Sequence, residues 1–197
     1  VNSRRRRCRI TGCPWLAERI EAGVVSYASA VRELFGGVAD EAFIARLGLL
    51  VLHFHGSFWL GREHEFNTRL LLRSVGYEAW RNPRFFAALY LLSSNRALLK
   101  RAWNACLPGG FEPGYMVMRG ASAHDYTLIQ AAKAITGNGS GLELEDLADA
   151  EAVDHPAVRH ILNALLIANY GSDVVQLGGT HIPASSPPPS RPAAKEH

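Results

Sequence analysis

Apolar positions along most of this chain recur at helical spacing, and almost none alternate with the period of two expected of a half-buried strand. Pro14 opens a helical pattern that runs through Phe35 and closes at Gly36–Gly37, a pair suited to a helix end. Asp40 is placed to cap the next segment, where Phe43, Leu47, Leu50, Val51 and Phe54 follow one another at helical intervals. That helix is apolar on nearly all sides, so it is expected at the centre of the fold. Glu63–Val75 is a third helix, stopped by Gly76, and Asn82–Pro83 starts a fourth with proline in its first turn. Phe86, Leu89, Tyr90, Leu98, Leu99 and Trp103 mark one apolar path, broken around Ser93–Ser94–Asn95, which predicts two short helices jointed at Asn95.

Residues 108–120 hold four glycines and two prolines, which is loop chemistry. Ser122 or Asp125 begins another helix that ends at Gly137. Asp154–His155–Pro156 opens the last, in which Val158, Ile161, Leu162 and Leu165 form an i, i+3, i+4, i+7 stripe through Tyr170. The prediction is an all-α fold: one compact bundle of about six to eight helices over residues 14–170. Residues 1–13 read as a basic flexible arm. The stretch 171–197, rich in Pro, Ser and Ala, reads as a disordered tail with too little apolar surface to order itself.

Composition agrees with a single globular domain: 197 residues, 48% hydrophobic and 20% charged, enough to bury a core without staples. The net charge of +3 is misleading as an average. Arg4, Arg5, Arg6, Arg7 and Arg9 concentrate five of the 21 basic residues in the arm, and the remainder of the chain has a slight acidic excess. An arm of this kind can hold nucleic-acid phosphates with strong salt dependence. The chain begins with Val, which fits an alternative start codon or a start placed upstream of the true one.

Three cysteines do not make a disulfide scaffold, and Cys8 with Cys13 is half a zinc site, so free thiols are expected. Leu47–Leu60 is the longest apolar stretch, but His53 and His55 interrupt it and it is short for a membrane span. With no secretory pattern after the arginines, the expected location is the cytoplasm.

Candidate chemistry is sparse. His53 and His55 stand two apart, about 200° around a regular helix, and cannot chelate one ion from it. Glu63–His64–Glu65 is denser, and Glu63 and Asn67 share one helix face, so Glu63, His64 and Asn67 are the candidate binding or acid–base set. Folding could bring His53 or His124 to them. Side chains of this type at a helix start also serve the backbone and its dipole. No nucleophile elbow, phosphate loop or zinc-helix motif is present, so neither a metal nor a cofactor is assigned. Trp59, Trp80, Trp103, Tyr77 and Tyr90 read as core. Arg73, Arg81, Arg84, Arg96 and Arg101 read as a solvated face that could line a groove.

The segment Glu63–His64–Glu65–Phe66–Asn67, followed by Asn82–Pro83–Arg84–Phe85–Phe86–Ala87–Ala88–Leu89–Tyr90–Leu91–Leu92, resembles an uncharacterised helical bacterial family also seen in phage-type contexts. The Ser94–Asn95 joint, the turn Leu144–Leu147 and the helix Leu162–Asn169 extend the resemblance over about residues 61–170. It implies a helical fold and no catalytic residue. Together these readings lead to a non-catalytic accessory module whose partner is another protein. The alternatives are an acid–base or metal-dependent enzyme built on Glu63, His64 and Asn67, and nucleic-acid binding through the arm.

Overall fold

The computed structural model describes Arg19 and residues 25–76, 78–139 and 142–178. Among these residues the chain forms α1 (Tyr27–Phe35), α2 (Glu41–Leu52), α3 (Arg62–Val75), α4 (Glu78–Arg81), α5 (Pro83–Leu92) and α6 (Arg96–Ala102). A two-stranded antiparallel hairpin follows, β1 (Cys106–Leu107) with β2 (Gly110–Phe111), Cys106 lying opposite Phe111. Then come α7 (Ala123–Thr136), α8 (Leu144–Ala148) and α9 (His155–Tyr170). The domain is all-α, with the hairpin as its one small sheet among the described residues. No helix among them is long and apolar enough to cross a membrane.

The helix starts are where short polar side chains place them. Asp40, Asn82, Asn95, Ser122 and Asp154 each sit in extended backbone, and each side chain accepts the N–H three residues on. Each such cap contributes about 1 kcal/mol. Ser26 does the same for α1 and exchanges bonds with Ser29, so the helical pattern from Pro14 to Phe35 is not one helix. At the other end of α7, Gly137 takes the left-handed conformation (φ 77°), and Asn138 then donates its side-chain amide to the Phe111 carbonyl at 2.8 Å. This ties the helix end to the hairpin, and it is a structural use for the glycine-rich turn that follows α7.

The centre of the bundle is α5, not α2. Every side chain from Phe85 to Leu92 is buried, and α7 and α9 are its principal neighbours. Both α5 and α2 read as apolar all round, but α2 buries only Phe43, Arg46, Leu47 and Leu50 and leaves Ile44, Leu49 and Leu52 exposed. The ordered core also runs past Tyr170. Ser172–Gly178 form a 3₁₀ turn that packs on α9, and Val174 is fully buried, so the expected tail begins too early. One apolar side chain at the right place is enough to hold a turn whose composition reads as linker. The arm at 1–13 and residues 179–197 lie outside the described residues.

Polar groups inside the bundle are cross-linked. Tyr27 donates to Asn163 Oδ1 at 2.8 Å, Asn163 Nδ2 donates to Tyr90 Oη at 3.1 Å, and the Tyr90 hydroxyl donates to the Phe58 carbonyl. Burial raises both tyrosine pKa values well above the usual phenol range, so these hydroxyls remain donors. Tyr27 also stacks flat on Phe54, at 3.7 Å between ring centres. The chain thereby joins α1, the loop after α2, α5 and α9 through groups that would each be costly to leave unpaired.

Candidate functional site

Between α3 and α6 the surface opens into a groove of about 610 Å³. One wall carries Glu63, Phe66, Asn67 and Leu70, at i, i+3, i+4 and i+7 on a single helix face. The other carries Arg96, Leu99, Lys100 and Trp103, spaced in the same way, with Asn104 at the end. Phe66 is 63% exposed and Trp103 40% exposed, so two aromatic side chains stand open to water beside two cations and one carboxylate. Trp103 and Trp80 therefore depart from the core role expected of them, although Trp80 leans on Phe86 at 4.7 Å.

Of the candidate set, Glu63 and Asn67 line this groove, whereas His64 turns inward and is buried. His64 Nδ1 lies 3.4 Å from the Leu60 N–H and accepts from it, which makes Nε2–H the donor to the Tyr90 carbonyl at 2.9 Å. Tyr90 O belongs to the last turn of α5, where intrahelical donors run out. Ser93 Oγ donates to the same carbonyl at 3.2 Å, and Thr68 Oγ1 lies 2.6 Å from Ser93 Oγ. Asn67 Nδ2 donates to the Ser93 carbonyl at 3.3 Å. His64, Asn67 and Thr68 thus close the end of the central helix. The trio is not gathered around a common point: Glu63 faces solvent and His64 faces the core.

Histidines from three elements do come together, at a place no local spacing indicates. His160 of α9 lies edge-on to His64 at 5.8 Å between ring centres and edge-on to His124 of α7 at 5.9 Å. His124 Nδ1 is 2.7 Å from Asp154 Oδ2, while Asp154 Oδ1 caps α9 by accepting from the Ala157 N–H. Burial pushes the Asp154 carboxyl up, but the Ala157 amide and His124 outweigh it and hold its pKa below the usual value. Neither ring nitrogen of His160 has a hydrogen-bond partner of good geometry, although the Pro156 carbonyl one turn back favours its charged form. Burial depresses His160 to about 3 and His64 to about 4, so both rings are neutral near pH 7.

None of these three histidines lines the groove. No group of three or more His, Cys, Asp or Glu side chains among the described residues is arranged to hold a metal ion. His53 and His55 are both exposed at the end of α2.

Of the five arginines read as a basic set, Arg96 lines the groove. Arg101 instead donates to the carbonyls of Val117, Arg119 and Gly120, fastening the loop after the hairpin. Cys106 is a buried free thiol whose burial pushes its pKa up to about 12, which leaves it unreactive. Arg4, Arg5, Arg6, Arg7 and Arg9, with Cys8 and Cys13, lie outside the described residues. No protein-family model, no curated protein and no solved structure matches the chain, so its function is argued from the groove and the buried groups themselves.

Proposed function

We propose that the protein is a non-catalytic interaction module that docks a short segment of another protein in the groove between α3 and α6. The observation that carries this is the pair of open aromatics, Phe66 and Trp103, set across a groove whose two walls also carry Leu70 and Leu99, with Arg96 and Lys100 on the α6 wall. Aromatic anchors in a concave apolar site are the usual centre of a protein interface. The two cations select a segment that carries carboxylates beside its apolar residues. From Glu63 to Leu70 the α3 wall is about 10 Å long, enough for two turns of a docked helix.

The acid–base alternative has less support, because it needs His64 at the surface with Glu63, and His64 is committed to the end of α5. Nucleic-acid binding through Arg4–Arg9 stands on the sequence alone. It predicts a steep fall in binding with salt and its loss on deleting residues 1–10.

The groove is tested by selecting random peptides of about 12 residues against the protein, then mapping them by amide chemical shifts in NMR. Selected peptides are expected to combine apolar and acidic residues and to shift amides of α3 and α6. Phe66→Ala and Trp103→Ala are each expected to weaken binding by roughly tenfold or more with the fold unchanged. Peptides that bind both variants as well as the parent, or that shift amides elsewhere, would refute the proposal.

A further inference from the structure

The outer face of α2 presents a second apolar surface, separate from the groove. Ala42, Ile44, Ala45, Gly48, Leu49 and Leu52 all face water, and Leu52 is 76% exposed. From Ala42 to Leu52 this face holds no charge, because the one ionic residue in that stretch, Arg46, is buried on the opposite side. Glu41, Ala45, Gly48 and Leu52 follow one another at intervals of four, three and four, the spacing of a seam between two paired helices. The face continues into a groove of about 280 Å³ toward α1, lined in part by Val31, Phe35, Val38 and Val51.

Gly48 is the informative residue. A glycine inside a helix destabilises it relative to alanine, and at this site nothing among the described residues lies within 4 Å of where a Cβ would stand. Nothing among the described residues calls for the missing side chain. A second helix crossing closely over α2 does call for it.

The two ends of α2 say which helix. Asp40 and Glu41 stand at its start, and His53 stands at its end with His55 just beyond. We propose that this face pairs with the same face of a second copy of this chain, antiparallel, about a two-fold axis passing between Ala45 and Gly48. That arrangement sets the carboxylates of one copy beside the imidazoles of the other and opposes the two helix dipoles. A parallel pair would set carboxylate against carboxylate. A helix of 12 residues is about 18 Å long, so the contact is small and the dimer is weak, with a Kd on the order of 10–100 µM.

Sedimentation of the full chain from about 1 to about 300 µM reads this directly. The expected result is a reversible monomer–dimer equilibrium with a Kd in that range. Leu49→Glu and Leu52→Glu are each expected to weaken it roughly tenfold or more, leaving the helical circular dichroism of the dilute protein unchanged. Gly48→Ala separates interface from helix: it is expected to raise the melting temperature of the dilute monomer and to weaken the dimer. A chain that stays monomeric to about 300 µM, or a dimer indifferent to all three substitutions, overturns the proposal. Peptide binding by Leu52→Glu keeps this outcome apart from that of the α3–α6 groove, since the groove is intact in that variant.

Discussion

Acidification from pH 7 to about pH 4 is expected to unfold the protein, and His64 with His160 to account for most of the loss. Each ring is almost wholly buried, 1% and 3% exposed, and burial depresses their pKa values from 6.5 to about 4 and about 3. In the unfolded chain both regain ordinary values, so between about pH 6.5 and pH 4 the unfolded state binds protons that the folded state refuses. Stability is therefore full above pH 6.5 and falls as pH falls, levelling only once the folded rings themselves charge. Differences of this size correspond to about 3 kcal/mol for His64 and about 5 kcal/mol for His160. The sum compares with the whole stability of an ordinary domain, about 5–15 kcal/mol.

Asp154 acts in the same sense lower down, since a carboxylate held below its usual pKa loses its contribution as pH falls through that lowered value. Denaturant melts at a series of pH values are expected to show stability dropping by up to about 2.7 kcal/mol per pH unit near pH 5, with unfolding in water between about pH 4 and 5. His160→Phe keeps a ring against its two neighbours and removes one titrating group. Its slope should fall to about 1.4 kcal/mol per pH unit. A stability that is flat from pH 6.5 to 5, or the same slope in His160→Phe, would show that these rings do not control acid unfolding.

The difference between what the chain discloses locally and what only folding reveals is clear in these same residues. Helix starts are legible because a cap works within four residues: Asp40, Asn82, Asn95, Ser122 and Asp154 all serve where their position in the pattern places them. The joint at Asn95 is legible for the same reason. Which apolar helix lies at the centre is not a local property. Phe85–Leu92 and Phe43–Leu52 have similar patterns, and only the packing of both α7 and α9 against α5 distinguishes them.

The candidate site divides along the same line. Glu63 and Asn67 are correctly paired on one face by their spacing of four, and Phe66 and Leu70 extend that face at intervals visible in the chain. The opposite wall, from Arg96 to Trp103, is brought there by the bend at Asn95. His64 looks like a surface residue of a helix start, yet its ring closes α5, a requirement set by a carbonyl 26 positions away. His124 and His160 stand 36 residues apart, and their meeting depends on how α7 and α9 both pack on α5. No periodicity reports contacts of that kind.

Arg46 shows how much a single inward-facing ion can organise, and removing it is expected to be the most damaging single substitution in the fold. Its guanidinium donates to the carbonyls of Leu147 and Asp149 at 2.9 Å each and to the carbonyl of Val153. Those three acceptors span the turn that leads from α8 into α9, a stretch with too little regular structure to satisfy them itself. Burial lowers the Arg46 pKa, and Asp149 and Asp154 oppose that by stabilising its charge. Arg46→Met keeps most of the volume and removes every donor, leaving buried carbonyls unpaired, so a loss of about 3–5 kcal/mol is expected in denaturant melts. Arg46→Lys should fall between the parent and Arg46→Met, because an ammonium cannot fork across three carbonyls.

Hydrogen exchange should locate the damage: amides of residues 147–153 are expected to lose protection before those of α5. The consequence reaches the buried histidines as well. Asp154 both caps α9 and holds His124 against His160, so a loosened turn admits water to that ring and brings its pKa back toward 6.5. Arg46→Met is therefore expected to show a shallower dependence of stability on pH between 6.5 and 4 than the parent. A loss below about 1 kcal/mol, or unchanged exchange at residues 147–153, would show that the turn holds its own shape without the guanidinium.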